Sequence, residues 1–227
     1  MSTQIGGGRV MHLYHCIDAR SFRPLWALEE LGLQYQLTVL PFPPRQQAEF
    51  LKINPLGTVP VLVDGATFMT ESAAIVQYLV TRHGPSPLAV DSADPAHGAW
   101  LNWLHFGEAT LTFPQTLVLR YRAQNPVKQL PEFFEPNKAE VVADDYTKWF
   151  LGRLRAVDMA LQRGEHLCAG RFTAADISVG YALLLAEYVG VGADFSPAIQ
   201  AYWSRLQTRP GFAAAKAAQL RSSPPAE

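Results

Sequence analysis

The chain has 227 residues, enough for one large or two small domains that bury a core without disulfides or metals. Hydrophobic residues make up 48% and charged residues 17%, which excludes disorder as the main theme. Lys and Arg total 19 against 20 Asp and Glu, a formal charge of −1 that excludes a basic body for nucleic acid or an anionic membrane surface. No apolar run approaches the roughly 18–20 residues of a membrane span; the richest, 181–193, is broken by Glu187, Gly190 and Gly192. The first ten residues are polar and Gly-rich, without the core of a signal peptide. Two distant cysteines, Cys16 and Cys168, make no disulfide framework and fit a reducing, cytoplasmic compartment.

In chain order, residues 1–9 read as a disordered tail and 10–15 alternate enough for a short strand. Phe22, Leu25, Trp26, Leu28 and Leu31 then fall on one helical face, with Glu29 and Glu30 outside and Gly32 as the stop. Pro24 belongs in the first turn, where a missing N–H does little harm. Residues 35–40 predict a second strand and 47–53 a short helix before the turn cluster Asn54-Pro55-Leu56-Gly57. Residues 59–63 and 66–69, joined at Asp64-Gly65, predict a hairpin. Residues 72–82 are helical with Ile75, Val76, Leu79 and Val80 inward, completing the order β-α-β-α-β-β-α.

Gly84-Pro85-Ser86-Pro87 reads as a linker. Residues 94–220 carry helical patterns only, with helices expected near 95–122, 138–163, 174–190 and 197–207. Two domains are therefore expected, 10–84 and 94–220. Thr173-Ala174-Ala175-Asp176 has the form of a capping box. Trp100, Leu101, Trp103, Leu104 and Phe106 make their helix apolar on more than one face, as if packed between the small domain and another body such as a second subunit.

Several chemistries lack their residues. There is no phosphate-cradling G-x-x-x-x-G-K-[ST] or G-x-G-x-x-G, no G-x-S-x-G elbow, and no His or Cys spacing that suits a metal, so no metal is expected. Cys16-Ile17-Asp18-Ala19 has the first half of C-x-x-C without its second cysteine, so a dithiol cycle within it is impossible.

Two short segments carry binding chemistry. Val59-Pro60 opens a strand; with a cis peptide, Val59 offers its N–H and C=O to a peptide-like ligand, and with a trans one Pro60 is an ordinary edge proline. Thr70-Glu71-Ser72 precedes a helix, where N–H groups and a hydroxyl meet an anion while Glu71 meets an ammonium; the alternative is a simple N-cap.

Taken together, Asn54-Pro55-Leu56-Gly57-Thr58-Val59-Pro60-Val61-Leu62, Thr70-Glu71-Ser72-Ala73-Ala74-Ile75 and the upstream Leu25-Trp26-Ala27-Leu28-Glu29-Glu30-Leu31-Gly32 resemble the glutathione S-transferase family, as does the Thr173-Ala174-Ala175-Asp176-Ile177 cap. Trp103-Leu104-His105-Phe106-Gly107-Glu108 is similar to a bacterial and fungal subgroup. The resemblance implies an α/β thioredoxin-like N-terminal domain followed by an all-helical C-terminal domain, in a homodimer. It implies that Val59, beside cis-Pro60, pairs with the cysteinyl backbone of glutathione, that Glu71 and Ser72 hold the γ-glutamyl end, and that Arg45 and Gln46, or Lys52, meet the glycyl carboxylate.

The family activates glutathione's thiol from the start of the first helix, where N–H groups and a donor favour thiolate. Here the usual hydroxyl position holds Ala19 and the cysteine position of other relatives holds Arg20. Ser21, Arg20 and Cys16 remain as candidates, against an N-cap serine, an exposed arginine and a packed cysteine. The resemblance thus implies a transferase joining glutathione to a small apolar electrophile, held between 16–20 and the helix carrying Trp103, Phe106 and Thr110. A Cys16-dependent glutathione lyase or thiol reductase, and a non-catalytic glutathione-binding protein, are the alternatives.

Overall fold

A computed structural model of the chain describes residues 10–122 and 136–221; the tail expected at 1–9 lies outside them. Strands β1 (Met11–His15), β2 (Tyr35–Val39), β3 (Val61–Asp64) and β4 (Thr67–Met69) form one sheet in the order β2-β1-β3-β4. β1 runs parallel to β2, and β3 is antiparallel to β1 and β4. Leu13 stands at the middle of the sheet, opposite Leu37 on one side and Leu62 on the other.

The strand period of two sends Met11, Leu13 and His15 to one face and His12 and Tyr14 to the other. Helices α1 (Phe22–Leu31) and α3 (Ser72–Arg82) bury Leu25, Leu28, Ile75 and Leu79 in one core with Leu13 and Leu62. Helix α2 (Ala48–Ile53) brings Phe50 onto Tyr14, ring centroids 5.7 Å apart, over a smaller cluster of Cys16, Val59 and Val61. Gly32 ends α1 with φ 62, a left-handed residue whose N–H returns to Glu29 O.

Beyond the sheet lie α4 (His97–Phe106), a π-helical stretch (Gly107–Thr112), α5 (Phe113–Tyr121), α6 (Pro136–Leu161), α7 (Ala174–Tyr188), α8 (Pro197–Gln207) and α9 (Pro210–Ala218). The helix expected over 95–122 is thus interrupted by the wider π turn. α9 was not among the expected helices, the last of which was placed near 197–207. Pro210 is the first helical residue, where proline is well suited, and Phe212, Ala215 and Ala218 are buried.

α7 is the hub of the helical part, buried from Ala174 through Leu183. Its Gly180 admits Trp26 of α1: a Cβ there would lie 2.9 Å from the indole ring. The capping box at its start is present. Thr173 Oγ1 accepts the Ala175 N–H (3.3 Å), and Asp176 accepts the N–H groups of Thr173 (2.8 Å) and Leu167 (3.2 Å) and the Tyr202 hydroxyl (2.9 Å). Thr173→Ala should cost about 1–2 kcal/mol of unfolding free energy through the lost cap, read by urea denaturation. A loss below about 0.5 kcal/mol would mean that the cap is dispensable. Among the described residues no helix is long and apolar enough to cross a membrane.

Candidate functional site

Residues 16–21 link β1 to α1. Ala19 N–H donates to Cys16 O (3.1 Å), Phe22 N–H to Ala19 O (2.8 Å) and Arg23 N–H to Arg20 O (3.2 Å), so the helix begins with a tight turn. Among the described residues no acceptor takes the N–H groups of Arg20 and Ser21. Unpaired N–H groups at a helix start attract an anion.

The Ser21 hydroxyl is engaged within the protein. The residue is fully buried, and its Oγ donates to His15 Nδ1 (2.7 Å) while accepting the Cys16 N–H (3.3 Å). It sits at the N-cap position without making a side-chain cap. The capping hydroxyl expected at Ser21 is therefore corrected, and the hydroxyl expected as a thiol donor is found buried on the His15 ring. Gln219 Oε1 accepts the Asp18 N–H (3.1 Å) and lies 3.0 Å from His15 Nε2, so His15 donates there and accepts at Nδ1. Burial pushes His15 down to about 4, against the opposing pull of Gln219, Ser21 and Asp18.

Cys16 is also fully buried, among Phe50, Val59 and Val61. Burial pushes its thiol up to about 12. A nucleophile needs the thiolate, so the expectation of a reactive Cys16 is corrected to a small packed residue.

Arg20 is paired rather than free. Its guanidinium donates to Glu108 Oε1 (2.7 Å) and Thr116 Oγ1 (3.2 Å). Arg23, fully buried, spends all its donors: on Ser178 O (3.1 Å), Ser72 Oγ (3.1 Å), Gly107 O (3.0 Å), Thr112 Oγ1 (2.6 Å) and the second oxygen of Glu108. Burial works against the Glu108 charge, but Arg23 and Arg20 outweigh it and hold the carboxyl below the usual carboxylate range. Gly107 permits this meeting, since a Cβ there would collide with Ser178 of α7.

The same network reaches α3. Ser72 is buried, accepts from Arg23 and donates to Glu108 Oε2 (3.3 Å), so the free hydroxyl expected there is corrected to an engaged one. The Ser72 and Ala73 N–H groups have no acceptor among the described residues, and Glu71 beside them is exposed. The Val59–Pro60 peptide is cis, and Val59 N–H and C=O make no backbone hydrogen bond among the described residues. Arg45 and Gln46 are exposed on a turn just before α2, with Arg45 packed on Gly57. Lys52 lies on the surface against Glu49 (2.6 Å), its i,i+3 neighbour, while Arg45 has no carboxylate partner among the described residues.

An open hollow of about 370 Å³ is lined by Leu101, Asn102, His105, Phe106, Ala109 and Thr110. Phe106 and Thr110 line it, whereas Trp103 stacks edge-on against Phe106 at 5.0 Å and no residue of 16–20 lines it, so it is not the pocket expected between that loop and this helix.

Arg23 and Glu108 escaped assignment from sequence, although a signal existed. Glu108 falls four residues after buried Leu104 and three before buried Leu111, a charge on an inward stripe. A charge there needs a partner, and Arg23, among the buried Phe22, Leu25 and Trp26, is the matching anomaly.

A mixed four-stranded sheet between α1, α3 and α2, with helices following, defines a thioredoxin-like domain joined to a helical C-terminal part. Residues 9–81 match the family model of the glutathione S-transferase N-terminal domain. The chain is 31% identical over 183 residues to glutathione S-transferase 3 of Schizosaccharomyces pombe, covering 77% of this chain and 74% of that one. It superposes on the crystal structure of a glutathione transferase from Methylococcus capsulatus with a TM-score of 0.77 at 29% identity, covering 92% of this chain and 98% of the other. A sphingomonad glutathione S-transferase complexed with glutathione gives 0.75 at 26% identity, with the same coverage. The chain belongs to the glutathione S-transferase family, and its relatives support a role of that type.

Proposed function

We propose that the chain binds glutathione along Val59 and the start of α3 and transfers its thiolate to a small apolar electrophile. The observation that carries this is a pair of helix starts with unspent N–H groups, Arg20 and Ser21 at α1 and Ser72 and Ala73 at α3, tied to each other through Arg23. The α3 end suits the γ-glutamyl carboxylate, with Glu71 for the ammonium. Arg45 and Gln46, exposed just before α2 and with Arg45 lacking a carboxylate partner among the described residues, suit the glycyl carboxylate. The α1 end suits the sulfur: with alanine at position 19 and the Ser21 hydroxyl spent on His15, stabilisation of the thiolate falls to backbone N–H groups and the helix dipole. The electrophile is assigned to the side of the π-helical stretch that carries Phe106 and Thr110, next to Glu108, which pairs with Arg20 at the start of α1. Orientation and thiolate stabilisation then supply the rate, and no protein adduct is needed. Two domains, 10–84 and 94–220, a homodimer and a cytoplasmic location belong to the same proposal.

Calorimetry and the ultraviolet absorbance of bound thiolate test it. The protein should bind glutathione, form thiolate near neutral pH and turn over a general aryl halide. Glu71→Ala should weaken binding by about 1–2 kcal/mol, roughly tenfold, by removing a charged hydrogen bond. Unchanged affinity in that variant would refute the placement. Binding without thiolate would favour a non-catalytic glutathione-binding protein. Activity that vanishes in Cys16→Ser while the fold is kept would restore the lyase or reductase.

A further inference from the structure

The loop before α1 is gripped by the far end of the chain. Asp18 has φ 51, in the left-handed region, without being a glycine. Its polar groups are taken up by the helical part. The N–H donates to Gln219 Oε1 (3.1 Å), the carbonyl accepts the Tyr181 hydroxyl (3.4 Å), and Oδ1 accepts from Gln219 Nε2 (2.7 Å) and Lys216 Nζ (2.7 Å). Gln219 is itself buried just past α9, and its oxygen also receives His15. One side-chain amide thus uses both its ends on residues 15–18.

A left-handed conformation at a non-glycine residue persists when its surroundings over-determine it. What it determines is local. The dihedrals of Asp18 direct the turn in which Ala19 N–H closes on Cys16 O, and so set where the next two N–H groups, of Arg20 and Ser21, point. Neither of these has an acceptor among the described residues.

We propose that Gln219, seconded by Lys216, is a positioning residue for the thiol: it holds Asp18 so that the Arg20 and Ser21 N–H groups face the glutathione sulfur, without touching the ligand. The assignment rests on glutathione being the ligand, as proposed above. α9 thereby couples the end of the helical part to the chemistry of the first helix. Lys216 adds a charge-assisted bond to the same carboxylate from a partly exposed position.

Gln219→Met keeps the volume and removes the hydrogen bonds; Lys216→Ala is the milder surface variant. Each is titrated for bound thiolate, assayed for turnover, and measured for affinity to S-methylglutathione, which has no thiol to ionise. Gln219→Met should raise the pKa of the bound thiol by about one unit and lower turnover about tenfold near neutral pH. Affinity for S-methylglutathione should stay within about twofold. Lys216→Ala should shift the pKa the same way by about half a unit, and it carries the test if Gln219→Met fails to fold. Adding Asp18→Gly to Gln219→Met should restore at least about half of the shift, because glycine takes the left-handed region without being held. A parent protein that forms thiolate, with both single variants unchanged in pKa, overturns the positioning role and leaves glutathione chemistry standing. A parent that forms no thiolate overturns both.

Discussion

Replacing Arg23 with methionine should lower the unfolding free energy by about 3–5 kcal/mol, the scale of removing one partner from a buried ion pair. The change leaves Glu108 with Arg20 and the Ser72 hydroxyl. It also strips a donor from Ser178 O, Gly107 O, Ser72 Oγ and Thr112 Oγ1, all of which are fastened to Arg23 in the folded chain. For a chain of this size the melting temperature should fall by roughly 10 °C. Adding Glu108→Leu should recover part of the loss, since the stranded carboxylate is then gone. The double variant should still bind glutathione less well than the parent, because Ser72 loses both polar neighbours at the start of α3. A fall below about 1 kcal/mol in Arg23→Met would mean that solvent reaches the network and that it does not brace α1 and α3 against α7.

Lowering the pH from 7 to 4.5 should cost the protein about 2–3 kcal/mol through His15 alone. Burial pushes the ring down to about 4 from the ordinary 6.5 of histidine. Between those values the unfolded chain takes up a proton that the folded chain refuses. This contribution is complete above pH 6.5 and is lost as the pH falls toward 4. Glu108, whose carboxyl is held low, acts below that window: its stabilisation is present above the ordinary carboxylate pKa and disappears as acid protonates it in the folded state. His15→Gln removes the titrating ring and keeps a polar side chain. The difference in stability between parent and variant, measured by urea unfolding, should therefore change by about 2–3 kcal/mol across pH 7 to 4.5. A difference that stays constant with pH would mean that His15 is solvated or already charged.

The sheet and its flanking helices were legible in the sequence because their signals are local. The alternation in β1, the inward stripe Ile75, Val76, Leu79 and Val80, and the stop at Gly32 each sit within a few residues. Val59-Pro60 and Thr70-Glu71-Ser72, the segments proposed to hold glutathione, stood out for the same reason, as short motifs ahead of a strand and a helix. Orientation at the thiol end was not legible. Where the Ser21 hydroxyl points depends on His15, and His15 is fixed by Gln219, 204 residues away. Arg20 likewise looks like a free cation until Glu108 arrives from a turn 88 residues further on. The π-helical stretch escaped notice because its cause is tertiary: Gly107 O accepts from Arg23 as well as from Thr112 Oγ1 (2.8 Å), and Gly107 must clear Ser178. Local pattern places the elements, whereas these polar contacts come from groups that only the fold brings together.

The surroundings of the sulfur in a crystal structure with glutathione bound decide whether backbone N–H groups alone hold the thiolate. The sulfur should lie within about 3.5 Å of the Arg20 or Ser21 N–H, with the Ser21 hydroxyl still on His15 and no other side-chain hydroxyl in reach. A sulfur seated against the Ser21 hydroxyl or against Cys16 Sγ would contradict that assignment.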